Sequence, residues 1–415
     1  MRILLISENG DGLGIAHRLV KEGHVVDCWI KEAQFEKAGV GIVNRLDAWR
    51  PAIPKADLIL VDMVGFGTQV ERLATQFGKP YIGADPLMDV AELDRQKGMD
   101  LFNKAGIKIP ETWSFKNPAE AHSMLKMWKE PGFVIKPCGN VSTADTTICR
   151  DKDTFAFSLG QIENEQELII QHIIEGVEIS TEGWWNGRGW IIPFNHTFEE
   201  KRFLEGNLGP NTGCMGNIVI AAKRSNKLIQ NSVMKLESFL KKTKYRGPVD
   251  VNCIVTEKEA YGLELTARFG YDAIEALIEG LNEPVANLLF DTATGIKQTM
   301  DVTMDFMSAV RLSVPPWPHA KPEKSTKGKP ILGLNDQNMK HIYLTDAYKQ
   351  EGRYYWAAGD GVVLKATARG VSVRESVRRV YRTLSNINVL DKQYRLDIGA
   401  RVESDLNKLK EWGWL

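Results

Sequence analysis

The sequence predicts an α/β protein with a doubly wound parallel N-terminal domain, a mostly antiparallel body and a C-terminal α+β domain. Residues 1 to about 90 alternate apolar strand segments with helical segments, which is the pattern of a parallel sheet covered by helices. After IKIPET, short apolar strands follow one another with few helices between them, which indicates antiparallel pairing. The 415 residues allow two to three domains. We expect domains at 1–92, 93–300 (with a small α+β lid at about 109–178) and 301–415.

The N-terminal strands are predicted to be RILLIS, HVVDCWI, ADLILVDM and KPYIG, with the helix TQVERLATQF before the last of them. The glycine-rich turn GDGLG follows the first strand, at the edge where doubly wound sheets bind ligands. It does not match the dinucleotide-binding pattern GxGxxG, and packing of the turn against its helix explains the glycines equally well.

The body is predicted to contain a short helix from Leu93 to Lys104, a helix over residues 118–129 and a series of strands. These strands are FVIKP, ELIIQHIIEGVEIST, GWIIPF, VDVNCIV and AYGLELTARFG. The segment SNKLIQNSVMKLESFLKKT has the periodicity of one long amphipathic helix. The C-terminal part carries strands near YYWAAG and GVVLKATA, then the helix SVRESVRRVYRTLSNI, while HAKPEKSTKGK is predicted to be an exposed loop.

Composition excludes several classes of protein. The 53 basic and 53 acidic residues give a formal net charge of zero, so nothing indicates a nucleic-acid or membrane-surface patch. We find no run of 18 apolar residues and no signal-peptide pattern at the N-terminus. The five cysteines are scattered without a CxxC pair, which favours free thiols and a cytoplasmic location.

Two segments carry residues suited to a nucleotide. Lys136 ends the apolar strand FVIKP, where it is either a strand-end lysine that reaches water or an ammonium placed on a phosphate. In IIQHIIEGVEIS, the backbone of an apolar strand edge can bind an adenine, and Glu178 can accept hydrogen bonds from ribose hydroxyls. An ordinary strand and turn explains the second segment as well.

Asp250 in GPVDVN and Glu264 in LELTARFG lie on neighbouring predicted strands, and alternation directs both to one face together with Asn252 and Thr266. Paired carboxylates on a buried face repel each other unless a cation compensates them, and Mg²⁺ prefers such oxygen ligands. Arg268 follows on the same face. We therefore expect a magnesium site here, with a Glu264–Arg268 salt bridge as the alternative.

The stretch LGPNTGCMGN, residues 208–217, combines turn-forming residues directly after a Lys-Arg pair. Taken alone it is either a surface loop or a loop whose backbone approaches a small ligand. Its GPNTGCMG resembles the GPNTGGMG loop of the phosphoribosylamine–glycine ligase family, which belongs to the ATP-grasp superfamily. EKRF, LELTARFG, LDRQKG…GIKIPET and YRLDIGARV are also similar to motifs of that family, so the resemblance extends along most of the chain.

The resemblance implies an ATP-grasp body with a small lid and assigns site residues one by one. The implied nucleotide-binding residues are Lys97, Lys136, Gln171, His172, Ile173, Ile174 and Glu178. The implied metal ligands are Asp250, Glu264 and Thr266, and the implied catalytic cations are Arg268, Lys201 and Arg202. The implied substrate-binding residues are Gly209, Pro210, Asn211, Thr212, Gly213 and Met215, with Gly12, Gly14 and His17 from the first-strand loop.

The activity implied by the resemblance is ATP-dependent ligation of glycine to 5-phosphoribosylamine through an acyl phosphate, in purine biosynthesis. It would use ATP and Mg²⁺ (or Mn²⁺), small-molecule substrates and no membrane or nucleic-acid partner, as a monomer or homodimer.

The chain departs from the family pattern at several positions. Thr266 replaces the family's metal asparagine, CGNVSTADTTI replaces its glycine-rich phosphate flap, and Tyr271-Asp272-Ala273 and Asp62-Met63-Val64 replace its DPE and GPE. These departures leave two alternatives open. One is the same chemistry with a different amine, such as a modified nucleoside, and the other is a nucleotide-binding protein without ligase turnover.

Overall fold

The computed structural model describes residues 1–138, 146–318 and 328–415. Nine residues of the predicted loop HAKPEKSTKGK and seven of the phosphate flap CGNVSTADTTI lie outside these ranges, at 319–327 and 139–145. Among the described residues, no helix is long and apolar enough to cross a membrane.

The N-terminal sheet is parallel and doubly wound, as predicted, with the strand order β3-β2-β1-β4-β5. Its elements are β1 (Arg2–Ser7), α1 (Leu13–Lys21), β2 (Val25–Ile30), β3 (Asn44–Arg45), β4 (Leu58–Val61), α2 (Gly67–Gln76) and β5 (Tyr81–Ile82). Side chains alternate along β1, so that Ile3 and Leu5 pack with Leu13 of α1 on one face. Leu4 and Ile6 pack with Val70 of α2 on the other. Both faces are therefore buried, which explains the continuous apolar runs.

A small lid follows two short helices. The helices are α3 (Pro86–Leu93) and α4 (Arg95–Ala105), and the lid contains β6 (Thr112–Phe115), α5 (Pro118–Ala121), β7 (Phe133–Pro137), β8 (Thr147–Cys149), α6 (Lys152–Gly160) and β9 (Leu168–His172). Its four strands pair antiparallel in the order β6-β9-β7-β8. Phe133 lies at the centre of the lid core, with Trp113, Trp128 and Phe155 around its ring. The lid thus has a hydrophobic core of its own.

An eight-stranded sheet forms the body and continues into the C-terminal part, in the order β14-β13-β10-β11-β12-β15-β19-β16. Its strands are β10 (Val177–Trp185), β11 (Trp190–Leu204), β12 (Leu208–Ala222), β13 (Gly247–Val255), β14 (Ala260–Thr266), β15 (Phe306–Ser313), β16 (Ile342–Leu344) and β19 (Val362–Gly370). A separate hairpin pairs β17 (Ala347–Gln350) with β18 (Arg353–Trp356). The remaining helices are α7 (Lys227–Asn231), α8 (Glu237–Leu240), α9 (Ala273–Gly280), α10 (Val285–Thr294), α11 (Val373–Ser385) and α12 (Val402–Glu411).

Pairing of β12 with β15 joins strands from both sides of the predicted boundary at residue 300 into one sheet. The two proposed domains therefore share this sheet, and the exact domain boundaries stay a prediction.

Three local predictions differ from the structure. The segment 208–217 is not a loop but the first part of β12, which pairs with β11. The predicted single strand ELIIQHIIEGVEIST is two strands, β9 and β10, separated by residues 173–176. The predicted long helix is interrupted at Ser232, whose backbone is not helical (φ −125°, ψ −106°) and whose hydroxyl donates to the Leu228 carbonyl at 2.6 Å. Such side-chain bonds to the backbone compete with helix formation.

Candidate active site

One face of the eight-stranded sheet carries polar side chains from neighbouring strands. Asp250 lies opposite Thr266, and Asn252 lies opposite Glu264, in the antiparallel register of β13 and β14. On the other side of β13, Ser180 of β10 lies opposite Asn252. Since side chains alternate along each strand, these groups project from the same face, as the sequence indicates.

The Lys201 ammonium lies at the centre of this face. Its Nζ is 3.1 Å from Glu178 Oε1, 3.1 Å from Glu264 Oε1 and 3.6 Å from Glu199 Oε2. The Asn252 amide also donates to Glu178 Oε1, at 3.0 Å. Glu178 and Glu264 keep 42% and 45% of their side-chain surface exposed, so a ligand in the cleft can reach both carboxylates. We call these four charged residues the Lys201 cluster.

Lys201 and the carboxylates of Glu264 and Glu178 stabilise one another's charges. The Lys201 ammonium holds the pKa of Glu264 far below its ordinary value. Burial raises the pKa of Glu199 to about 7 even though Lys201 opposes the shift. Burial also disfavours the charged form of Lys201, but Glu264 and Glu178 outweigh it and raise the lysine pKa well above its ordinary value. The ammonium therefore remains charged at neutral pH.

Lys136 and Arg95 add positive charge beside the Lys201 cluster. Lys136 is the last residue but one of β7 in the lid and is buried, and burial lowers its pKa to about 8 although Glu264 opposes the shift. Arg95, at the start of α4, also acts electrostatically on Lys136 and Glu264, and its guanidinium donates to the Thr146 hydroxyl at 3.2 Å. Two cations thus face the carboxylates from the lid side, as a site for a polyphosphate requires.

The oxygen donors of this face fit a divalent cation that a ligand helps to bind. Among the described residues, no cluster of three or more His, Cys, Asp or Glu side chains could hold an ion by itself. Glu264 and Asn252 offer oxygens on adjacent strands, and Mg²⁺ is typically held by one or two carboxylates with substrate phosphates completing its shell. Asp250 accepts a hydrogen bond from Ser180 at 3.1 Å, and burial together with Glu182 raises its pKa well above the ordinary value. Glu264 is therefore the better ligand of the two carboxylates.

The 208–217 segment is held against β11 next to the Lys201 cluster. The Thr212 hydroxyl donates to the Lys201 carbonyl at 2.8 Å, and the Arg202 guanidinium donates to the Gly209 carbonyl at 2.8 Å. The Asn211 amide reaches the Thr146 carbonyl at the edge of the lid, at 3.3 Å. Pro210 and Gly213 are half-buried here. Met215 differs, because its side chain is fully buried in the hydrophobic core, so that only its backbone can approach a ligand.

Residues 173–176 connect the lid strand β9 to β10 of the body, where an adenine is predicted. The buried Gln171 side chain donates to the Thr112 hydroxyl at 3.0 Å, and the His172 ring contacts the Glu130 carbonyl at 3.2 Å. The Ile173 amide donates to the Gly132 carbonyl at 3.0 Å, and Ile174 is half-buried. These bonds fix the lid end of the connection, and adenine binding at 171–174 stays a prediction.

Lys97 and Arg268 lie outside the Lys201 cluster and pair with other acidic residues. Lys97 is exposed on α4 and pairs with Asp94 at 3.3 Å, whereas Arg95 of the same helix acts electrostatically on Glu264. Arg268 pairs with Glu92 of α3 at 2.8 Å, in place of the Glu264 salt bridge considered as the alternative. The guanidinium lies 4.2 Å from the centre of the Tyr271 ring.

Comparison with known proteins agrees with this geometry. Residues 95–273 match the model of the family described as phosphoribosylglycinamide synthetase, ATP-grasp (A) domain. The phosphoribosylamine–glycine ligase of Streptomyces coelicolor is 26% identical, covering 78% of this chain and 79% of the relative. That of Thermotoga maritima is 24% identical, covering 96% and 99%. A crystal structure of the Thermotoga maritima phosphoribosylamine–glycine ligase has a TM-score of 0.76 over 96% of this chain and all of that chain, at 22% identity.

The chain carries, at residues 95–273, the ATP-grasp (A) domain of the phosphoribosylglycinamide synthetase family. It is an ATP-grasp ligase, and such enzymes use ATP with a divalent metal ion.

The first-strand residues of this ligase are separated in the structure. Gly12 donates its amide to Asp62 Oδ2 at 2.6 Å. Gly14 packs against Tyr343, since a Cβ at this glycine would lie 2.6 Å from the Tyr343 Cβ. The buried His17 ring lies 6.3 Å from the Tyr354 ring, and burial lowers its pKa to about 4. Packing therefore accounts for Gly14, and only Gly12 of the three lines the cavity beside Asp62.

The C-terminal motif YRLDIGARV bonds the backbone of β10 and β11, two of the three strands that carry the Lys201 cluster. Arg401 donates to the Glu199 carbonyl at 2.9 Å and to the Glu178 carbonyl at 3.1 Å, and it pairs with the Glu200 carboxylate at 2.8 Å. Arg395 donates to the Arg202 carbonyl at 2.9 Å. These arginines hold the backbone on both sides of Lys201.

Sequence reasoning missed several charged residues that the structure brings to the site. Glu199 lies two residues before Lys201, so strand alternation could have placed it on the same face. Asp11, Arg95 and Arg401 lie in GDGLG, LDRQKG and YRLDIGARV, but the patterns of these segments assigned them no role. Glu275 and Lys365 come from distant segments, and no local pattern marks them.

Proposed function

We propose that this protein joins glycine to 5-phosphoribosylamine, forming glycinamide ribonucleotide, ADP and phosphate in purine biosynthesis. The supporting observation is the Lys201 cluster, which lies directly beside the 208–217 strand and opposite Lys136 of the lid. Two similar proteins, from Streptomyces coelicolor and Thermotoga maritima, are named phosphoribosylamine–glycine ligases, and that name describes this activity. They favour this acceptor over the different amine considered from the sequence.

The reaction needs the glycine carboxylate to become a good electrophile. Transfer of the γ-phosphoryl group of ATP to that carboxylate forms glycyl phosphate and ADP. The acceptor amine then attacks the carbonyl carbon, the carbon–oxygen bond to phosphate breaks, and the amine proton is released. The amide product and inorganic phosphate leave the site.

The chain contributes charge and position to these steps. Lys136 and Arg95 bind phosphate oxygens from the lid side. Lys201 and Arg202 hold the glycine carboxylate beside Asn211 and Thr212. Fixed cations of this kind stabilise the negative charge that develops during transfer and need no reorganisation. We place the adenine at 171–174 and the ribose hydroxyls on Glu178.

Glu264 and Asn252, with Asp250 and Thr266 nearby, would hold Mg²⁺ or Mn²⁺. When bound, the ion neutralises phosphate charge during transfer. The acyl phosphate is sensitive to water, so the lid has to cover it.

We also propose a cytoplasmic enzyme that works as a monomer or homodimer. All five cysteines are free thiols, which suits a reducing compartment.

The test is ADP release with Mg-ATP and glycine, measured with and without phosphoribosylamine generated in the assay. We expect ADP release to need both substrates, with glycinamide ribonucleotide detected by mass spectrometry. Release that needs an amino acid but ignores phosphoribosylamine would keep the ligase chemistry and reject this acceptor. Hydroxylamine, which traps acyl phosphates, should yield glycine hydroxamate when the acceptor is omitted.

A further inference from the structure

A crevice of about 970 Å³ lies at the amino-terminal edge of the N-terminal sheet. Three of its lining residues, Met1, Asp57 and Pro80, directly precede β1, β4 and β5. The glycine-rich turn GDGLG follows β1 and therefore lies at the opposite edge of the sheet. The other wall comes from the body, with residues 243–246 before β13 and the end of α10. The crevice thus separates two parts of the chain, and its volume suits a small-molecule ligand.

The hydrogen-bond acceptors around the crevice are largely occupied. Helices α2 and α10 end here, and the last carbonyls of a helix need donors from outside it. The Ala74 carbonyl accepts from the Lys79 amide at 2.8 Å, and the Ala293 carbonyl accepts from Arg246 Nη1 at 2.7 Å. One oxygen of the Asp57 carboxylate accepts from the first amide of β1 at 2.7 Å.

Two buried donors in the lining, in contrast, have no partner. These are the Tyr81 hydroxyl and Arg246 Nε, which make no hydrogen bond to any described residue. Tyr81 is only 5% exposed, and Arg246 acts electrostatically on it, so the two groups lie near each other. Arg246 Nε can only donate. Since buried polar atoms normally have a partner, the pair indicates a missing hydrogen-bond acceptor.

Charge indicates what kind of acceptor fits. Lys79, Lys244 and Arg246 line the crevice together with a single carboxylate, that of Asp57. Lys244 pairs with Glu71 at 2.7 Å, which leaves Lys79 and Arg246 as the cations for a ligand. A phosphate or carboxylate group accepts strong hydrogen bonds from such cations. The apolar part of the lining, which can cover a carbon skeleton, consists of Ala56, Ala74, Pro80, Phe290 and Ala293.

We propose that this crevice is a second ligand site, in which a small organic anion places a phosphate or carboxylate group against Tyr81, Arg246 and Lys79. The site goes beyond the ligase reaction, since its lining includes no residue of the Lys201 cluster or of the 208–217 segment. Arg246 directly precedes β13, which carries Asp250 and Asn252. A bound anion therefore lies at the start of the strand that carries proposed metal ligands.

The test measures thermal unfolding of the full-length enzyme at rising concentrations of sodium phosphate or sodium malonate, against sodium chloride at equal ionic strength. Mg²⁺ and a non-hydrolysable ATP analogue are present throughout, so that the nucleotide site is filled. We expect at least one of the two anions to raise the Tm of the wild type, because a ligand that binds only the folded chain stabilises it. Stabilisation by phosphate alone identifies a phosphate ligand, and stabilisation by malonate alone identifies a carboxylate ligand.

Two variants assign this stabilisation to the crevice. Tyr81→Phe removes only the unpartnered hydroxyl, and Lys79→Gln removes the charge of the ammonium. Each should weaken the apparent affinity for the anion by about tenfold. In chloride alone, Tyr81→Phe should unfold at the wild-type temperature or above it, because a buried hydroxyl without a partner lowers stability.

Tyr343→Phe is the matched control. The Tyr343 hydroxyl is also buried and also lacks a partner within the described ranges, but this residue does not line the crevice. We expect it to keep the wild-type response to both anions.

The proposal would be overturned if Tyr81→Phe and Lys79→Gln both responded to the anions as the wild type does. It would equally be overturned if neither anion stabilised the wild type. Turnover of glycine and phosphoribosylamine plays no part in these measurements, so a failure of the second site leaves the proposed function standing.

Discussion

Glu264 is the carboxylate on which metal-dependent turnover should depend most. It contacts Lys201, lies opposite Asn252 and remains accessible from the cleft. Glu264→Gln keeps the size of the side chain but removes the charge that a divalent ion needs. We expect metal-dependent ADP release to fall by about a hundredfold or more.

Glu259→Gln is the control for this substitution. Glu259 pairs with Lys108 at the far end of the same hairpin and is outside the Lys201 cluster. We expect its ADP release to match that of the wild type. Full turnover in Glu264→Gln would refute the metal assignment.

His196 provides a pH prediction for a single residue. Its ring is fully buried on β11, and burial lowers its pKa from 6.5 to about 4. Below pH 6.5 the histidine is protonated in the unfolded chain, but in the folded chain it becomes protonated only near pH 4. The free energy of unfolding therefore falls as the pH decreases over this interval. We expect this histidine to lower the free energy of unfolding of the wild type by on the order of 3 kcal/mol between pH 7 and pH 4.

Denaturant unfolding of the wild type and of His196→Gln at several pH values measures this contribution as a difference. The difference between the two proteins should change with pH only below about 6.5. Parallel profiles would show that the histidine titrates normally.

At the level of the element, β12 illustrates what the sequence predicted and what it did not. The composition of 208–217 predicted a loop, but the segment pairs with the preceding strand β11, with register shifts between Glu200 and Arg202 and between Arg202 and Leu204 that local composition does not reveal. A similar reason applies at 173–176, where a break between lid and body divides a continuous apolar run. The interruption at Ser232 follows from a side-chain bond that helical periodicity does not reveal.

Two glycines of β12 should therefore respond differently to substitution. A Cβ at Gly216 would lie 2.7 Å from the Ala309 carbonyl oxygen, and this glycine has a φ of +153°. A Cβ at Gly213 would meet only the Tyr271 ring, at 3.4 Å. We expect Gly216→Ala to lower the free energy of unfolding by about 2 kcal/mol or more, because β12 and β15 have to move apart.

Gly213→Ala should change the free energy of unfolding by less than about 1 kcal/mol. It should instead raise the KM for glycine, since this position is predicted to contact the substrate. Denaturant unfolding and steady-state kinetics on both variants separate the two effects. Equal losses of stability would show that both glycines serve packing.

At the scale of the whole molecule, the sequence predicted the order of functional segments better than their contacts. Asp250, Glu264 and Thr266 lie on one face because strand alternation is a local property. The three-glutamate environment of Lys201 was not predicted, because it joins β10, β11 and β14 through a register that local pattern does not specify.

The C-terminal segment contacts the site through Arg401, and substitution of this arginine tests the importance of the contact. Its guanidinium bonds the carbonyls of Glu178 and Glu199 and the carboxylates of Glu200 and Asp405. A lysine is a single point charge and cannot bond all four groups. Arg401→Lys should therefore loosen the backbone of two Lys201-cluster glutamates.

We expect Arg401→Lys to lower the free energy of unfolding by about 1–3 kcal/mol and kcat/KM for ATP by about tenfold or more. Arg379→Lys is the control, because Arg379 also bonds a glutamate and a backbone carbonyl but lies exposed on α11. Its stability and kinetics should stay near those of the wild type. If Arg401→Lys loses stability but keeps its kinetics below the unfolding temperature, the segment only supports the fold. A joint loss means that the C-terminal arginine positions the glutamates around Lys201.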